Sequence, residues 1–190
     1  ESVHIPVVLS ESGLTDLVYN DFFVGDNCDV TIVAGCGIHN CGVQNSQHDG
    51  IHTFHVGKNA RVRYIERHYG EGDGNGENIM NPTTVVELDE GSYMEMETTQ
   101  IKGVDSTVRV TRATLGPDAT LIIHEKVMTH GKQHAKSDFT VDLNGAGCHT
   151  NVISRSVARG QSHQVFMAKL MTLGLTEKEA EEQIVNGFLK

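Results

Sequence analysis

The sequence contains no tryptophan, only three prolines and only 5 % aromatic residues. No apolar run approaches the ~20 residues that a membrane-spanning helix needs, and the opening ESVHIPVV has no signal-peptide pattern. Basic residues are scarce: 15 Lys and Arg face 25 Asp and Glu, for a net charge of −10. Because nucleic acids and most cytoplasmic membrane surfaces are anionic, we expect no nucleic-acid and no membrane partner.

Cysteine is scarce as well. Four cysteines in 190 residues are too few for a disulfide scaffold. We therefore expect reduced thiols and a cytoplasmic location. The 20 glycines, in contrast, suit many short strands joined by tight turns rather than a helix bundle.

A short pattern recurs along the chain: an apolar residue, a polar turn, a small residue four positions later, and then an alternating strand. It occurs at Leu9 to Gly13, Val24 to Cys28, Val56 to Ala60, Leu88 to Ser92 and Leu115 to Ala119. A small residue lets neighbouring backbones approach closely at a corner, and stacked units can bury an interior that no single unit could bury. The pattern predicts a mainly β fold whose core is a parallel, right-handed β-helix (solenoid); a β-sandwich is the alternative.

The tail changes period. Thr176 and Glu179 form a capping box, Leu170 to Gly174 looks like the end of an earlier helix, and Ala180, Ile184 and Phe188 share one helical face. We therefore predict a β-helix core over residues 1–167 and a short C-terminal helical hairpin over 168–190. The segment Gly70 to Glu77 is predicted to be a mobile loop.

Four stretches together resemble the SufB/SufD family: AGCGIHNCG, HDGIHTFHVGKNARVRYIERHYG, HTNVISRSVARGQSHQVF and LMTLGLTEKEAEEQIVNGFL. The resemblance implies a β-helix that serves as a non-catalytic scaffold for iron–sulfur cluster assembly, with a transient cluster or iron as cargo. It also implies a SufC-type ABC ATPase as partner, docked on the C-terminal helices. Family members have further coils, with Cys, Glu and His residues for cluster assembly, where this sequence has only Met167 to Lys169. We expect either a shortened member or a chain from which a segment is absent at this junction.

Candidate metal ligands are few. Cys36, His39 and Cys41 lie in one glycine-punctuated turn, and Cys148 with His149 could complete a ligand shell if the coils bring them close. The alternative is a structural role for each cysteine as a small corner residue, as we expect for Cys28.

Two other functions stay open from the residues alone: a metal-binding solenoid of another pathway, and a β-helix carbohydrate-active enzyme. The sequence contains no nucleophile elbow, no zinc-protease motif and no dinucleotide fingerprint, so we expect no enzyme. Edge strands of the solenoid predict pairing with itself or with another chain, and the resemblance implies a SufB/SufD-type paralogue as that other chain. The predicted surface for the ATPase comprises Leu173, Leu175, Ile184, Val185, Phe188 and Leu189.

Overall fold

The computed structural model describes residues 2–172, and the regular structure in this range is entirely β. Between these bounds no helix has the length and apolar character needed to cross a bilayer. The thirteen strands are β1 (Ser2–Leu9), β2 (Thr15–Val24), β3 (Asp29–His39), β4 (Ser46–Val56), β5 (Arg61–Glu71), β6 (Asn78–Met80), β7 (Thr83–Leu88), β8 (Tyr93–Lys102), β9 (Ser106–Leu115), β10 (Thr120–Thr129), β11 (His134–Leu143), β12 (His149–Ala158) and β13 (His163–Thr172).

The strands form two parallel sheets, and the chain alternates between them except from β6 to β7, which follow one another in the same sheet. One sheet has the order β1-β3-β5-β8-β10-β12; the other has the order β13-β11-β9-β6-β4-β2, with β7 paired to β4 and β9. Neighbouring strands of a sheet belong to successive coils. Residues that meet on successive coils are 32 residues apart in the case of Lys58 and Glu90, and 27 apart in the case of Asn78 and Asp105. Every pairing is parallel, which a two-residue hairpin cannot produce. The solenoid prediction is confirmed, and the sandwich alternative is wrong.

The repeated sequence pattern forms the corner at which the chain leaves the sheet that contains β2 and enters the other sheet. The backbone is left-handed at the equivalent turn position of five coils: Asn27, Asn59, Gly91, Asp118 and Gly147 all have φ between 54° and 73°. Amide-to-carbonyl hydrogen bonds of 2.8–2.9 Å stack the corners, as from Arg61 to Cys28. The Leu9 to Gly13 unit lies at the opposite corner, between β1 and β2.

Alternate residues of each strand point into the solenoid, as the pleat requires. They build a large apolar cluster next to the repeated corner, in which Phe54 is fully buried between Phe22 and Tyr64 at ring separations of 4.7 and 4.8 Å. A smaller cluster comprises Leu9, Cys36, Ile38, Met80 and Val104. Burial of one such aromatic ring stabilises the fold by about 1.5–3 kcal/mol.

Three predictions need correction. Residues 168–172 are not helical: β13 continues through them, because Ala168 and Leu170 alternate inward and pack on the apolar core. The strand therefore crosses the Met167 to Lys169 junction without a break, in register with β11. Residues 173–190, and with them the predicted hairpin and its ATPase surface, lie outside the described residues.

The glycine-rich segment is a loop only from Gly72 onward, because Gly70 and Glu71 belong to β5. Gly74 and Gly76 donate backbone hydrogen bonds to the carbonyls of Asn40 and Gly42, so the segment stacks on the turn of the preceding coil. Cys28 occupies the predicted corner, but its side chain is exposed. Within residues 2–172 it lies at the first of the five stacked corners, which has a corner stacked on one side only.

Candidate functional site

A layer of polar side chains lies inside the solenoid, between the two apolar clusters. Its members occupy inward positions of neighbouring strands, where alternation alone would place apolar residues. The buried members of this layer include His48, His52, Glu66, His68, Thr98, Gln100, Arg109, Thr111, Glu125 and Ser137. Such a layer is costly unless its groups pair with one another.

Arg109 is the centre of this layer. Its Nη1 donates to Glu66 Oε2 in a close contact, its Nη2 lies 3.1 Å from His68 Nδ1, and its Nε lies 3.5 Å from Glu125 Oε1. Glu125 also accepts hydrogen bonds from the hydroxyls of two serines, Ser137 and Ser154. A planar guanidinium can serve two carboxylates at once, which an ammonium group does less well.

The charges of this network reinforce one another. Burial would raise the pKa of Glu66, but His68 and Arg109 outweigh that effect and hold this pKa well below its ordinary value. Burial would lower the pKa of Arg109, and the two carboxylates raise it instead. The ion pair between Glu66 and Arg109 therefore stays charged at neutral pH.

A hydrogen-bonded chain leads from His52 to this ion pair. The Tyr64 hydroxyl donates to Glu66 Oε1 at 2.9 Å, so it accepts from His52 Nδ1 at 2.7 Å. This direction places the hydrogen of His52 on Nδ1. Burial lowers the pKa of His52 and raises that of Tyr64 well above its ordinary value, so both groups are neutral near pH 7.

Cys36 lies beside the same network, at the register position of His68. Burial, with a further contribution from the charge of Glu66, raises the pKa of its thiol to about 12. At neutral pH the group is a thiol, not the thiolate that binds metals and attacks electrophiles.

The structure brings only some of the predicted metal ligands together. Cys41 Sγ lies 3.1 Å from His39 Nε2 at the surface, while Cys36 is buried. Cys148 and His149 belong to the start of β12, which is four strand spacings from β3, or about 19 Å. Across residues 2–172, no three His, Cys, Asp or Glu side chains are placed to hold one metal ion.

Sequence reasoning missed the charged layer inside the coils. The signal was a charged residue at an inward position of a single strand. Val62, Tyr64 and Glu66 are alternate residues on one face of β5, and only Glu66 is charged. Which partner neutralises such a charge depends on coil length and could not be taken from one strand.

Comparison with known proteins agrees with this architecture. The family model described as SUF system FeS cluster assembly, SufBD core domain, matches residues 19–172. An iron–sulfur cluster assembly SufBD family protein of Methanocaldococcus jannaschii is 24 % identical over 162 residues, which cover 84 % of this chain and 50 % of that relative. The chain thus spans about half the length of the relative that it matches. Since the family model covers β2 to β13 nearly without remainder, the chain belongs to the SufB/SufD family through its SufBD core domain.

Proposed function

We propose that this protein is a non-catalytic scaffold on which iron–sulfur clusters are assembled, and that it works with a SufC-type ABC ATPase. The observation that carries the proposal is the match of residues 19–172 to the SufBD core domain of the SUF system. The relative from M. jannaschii is named as an iron–sulfur cluster assembly protein, which points in the same direction.

The placement of the carboxylates supports a scaffold over a carbohydrate-active enzyme. Glycosidases use two carboxyl groups that flank the bond to be cleaved in an open cleft. The paired carboxylates here, Glu66 and Glu125, are each only 2 % exposed and are held by Arg109 inside the coils. A polysaccharide has no access to them.

Iron and sulfide are cargo in this proposal, and their first contacts are expected at the surface. Thiolate and imidazole groups are suitable ligands for iron, and Cys41 with His39 offers one of each. Cys36 is protonated and buried, so it could bind iron only after losing its proton and becoming exposed. Two ligands from one chain leave positions for a partner, such as a second copy or a SufB/SufD-type paralogue.

Anaerobic reconstitution with ferrous iron and sulfide tests the proposal. We expect visible absorbance from a protein-bound cluster after desalting, and weaker absorbance when Cys36 and Cys41 are both replaced by Ser, because hydroxyls are poor ligands for a soft cluster. Cys28→Ser is the matched control, since it removes an exposed thiol from the opposite side of the coil. A wild-type protein that retains no iron after desalting would contradict the scaffold role.

A further inference from the structure

Three cations form a row on the outer face of the sheet that contains β5, β8, β10 and β12. The register pairs Arg67 with Thr99, Thr99 with Lys126, and Lys126 with Arg155, so the four residues lie side by side on neighbouring strands. Lys126 follows the inward-facing Glu125 in β10, so the side chains of this row point away from the solenoid interior. Arg67, Lys126 and Arg155 are all exposed, and we call them the basic row.

Little negative charge opposes the basic row. Lys126 Nζ donates to Glu97 Oε1 at 3.0 Å, and the same carboxylate lies 3.7 Å from the guanidinium of Arg63. Among residues 2–172, no carboxylate lies within ion-pair distance of Arg67 or Arg155. A hollow of about 130 Å³ beside Lys126 and Arg155 gives room for an incoming carboxylate. Two of the three cations are therefore available to an anionic ligand.

An apolar row lies beside the basic row, two residues further along the strands. It comprises Tyr69 of β5, Met128 of β10 and Val157 of β12, of which the last two are directly paired. Tyr69 is 40 % exposed and Val157 is 52 % exposed. The Tyr69 ring lies over Gly37, where a Cβ would be only 2.3 Å from the ring. An exposed apolar strip that is flanked by cations marks a surface for another molecule.

The distribution of charge along the chain restricts the size of that molecule. Residues 101–172 contain nine Lys and Arg against five Asp and Glu, whereas residues 1–100 contain four against sixteen. A long polyanion or an anionic membrane would contact the acidic coils as well as the basic row and would be repelled by them. A short acidic segment contacts the two rows alone.

We propose that the basic row and the apolar row together bind an acidic amphipathic helix of a partner protein. Neighbouring strands are about 4.8 Å apart, so along the row Lys126 is about 10 Å from Arg67 and about 5 Å from Arg155. An α-helix rises about 1.5 Å per residue, so acidic residues at positions i, i+7 and i+11 match these distances and share one helical face. Apolar residues on the adjoining face of the helix cover the apolar row.

The spacing of the cations favours a helix over an extended segment. Side chains on one face of an extended strand are about 7 Å apart, which fits neither distance in the basic row. The surface lies within residues 67–157 and contains none of the residues proposed to bind the ATPase, so it does not depend on the scaffold function.

Fluorescence anisotropy with a labelled synthetic helix tests the proposal on the full chain. The probe is an alanine-based peptide with Glu at positions i, i+7 and i+11 and Leu on the adjoining face. The reference peptide has Gln in place of the three Glu. We expect the Glu peptide to bind at least about tenfold more tightly than the Gln peptide, and increasing salt to reduce this difference.

The variants separate the two rows. Arg67→Gln with Arg155→Gln should weaken binding of the Glu peptide at least about tenfold and leave binding of the Gln peptide nearly unchanged. Lys136→Gln with Lys169→Gln is the matched control, because it removes the same charge from exposed positions on the other sheet. Val157→Ser should weaken binding of both peptides, because it reduces the apolar row. All five side chains are exposed, so the circular dichroism spectra of the variants should match that of the wild type.

Three results would overturn the proposal. The first is equal binding of the Glu and Gln peptides, and the second is an equal effect of the two double variants. The third is tighter binding of a single-stranded RNA oligonucleotide or of phosphatidylserine vesicles through Arg67 and Arg155, since the surface would then recognise phosphate. None of these measurements uses iron or the ATPase, so the scaffold role is tested separately.

Discussion

Arg109 neutralises two buried carboxylates, and this determines what its loss would cost. Replacing it with Leu leaves Glu66 and Glu125 buried without a cation in the polar layer. Breaking a buried ion pair by removing one partner typically costs about 3–5 kcal/mol. We expect Arg109→Leu to lower the free energy of unfolding in urea by that amount.

Arg112 provides a matched control, because it lies on the same strand but points outward to Asp138 at 3.0 Å. Its side chain is 44 % exposed, so Arg112→Ala should cost at most about 1 kcal/mol. Adding Glu66→Gln to Arg109→Leu should recover part of the loss, since one uncompensated charge disappears. If Arg109→Leu costs no more than Arg112→Ala, the layer is not an ion-pair network.

His52 predicts a pH dependence of stability. Burial lowers its pKa in the folded protein, while in the unfolded chain it titrates near its ordinary value of about 6.5. Below that pH the unfolded state binds a proton that the folded state resists, so stability falls as the pH decreases from about 7 toward 5. His52→Gln, whose amide can still donate to Tyr64, should make this fall smaller in urea titrations at the two pH values. An identical fall in both proteins would show that other histidines are responsible.

The repeated corner is the element whose conformation the sequence specifies most directly. Asn59 has φ of 55° at the turn position shared by all five corners. A β-branched residue is strongly disfavoured there, so Asn59→Val should destabilise the protein by about 1–2 kcal/mol. Asn59→Gly keeps access to the left-handed region and should cost little. Thermal unfolding compares the two variants; equal melting temperatures would mean that this corner does not constrain its residue.

The corners could be predicted because their information is local. Five residues contain an apolar anchor, a turn with access to positive φ and a small residue, and no distant partner is needed. The end of β13, residues 168–172, was mistaken for helix for the opposite reason. The stretch from Leu170 to Thr172 is a short apolar run, which periodicity alone cannot assign to helix or strand. Pairing with β11 makes this stretch a strand. The paired residues are 29 positions apart in sequence, as His134 and His163 are.

At the scale of the whole molecule, coil length decides which side chains meet. Glu66 and Arg109 are 43 residues apart, yet the stacking of coils with steps of 27 to 32 residues brings them into contact. The same steps keep Cys148 and His149 at a distance from the turn that contains Cys41. The repeated corner pattern predicted the solenoid and resemblance to a family supplied its proposed role, but the interior network required the register of every coil.

Removal of residues 173–190 separates the solenoid from the proposed ATPase surface. Each coil is stabilised by its neighbours, and β13 ends at Thr172, so the truncated chain should keep the strand-dominated circular dichroism spectrum of the full chain. Co-purification with a tagged SufC-type ATPase from the same genome should be lost. Phe188→Ala in the full chain should weaken the complex by about 2 kcal/mol or more if this aromatic residue is a buried anchor, and Lys190→Ala, at the polar end of the same segment, should not. Undiminished ATPase binding by the truncated chain would place the contact on the β coils instead.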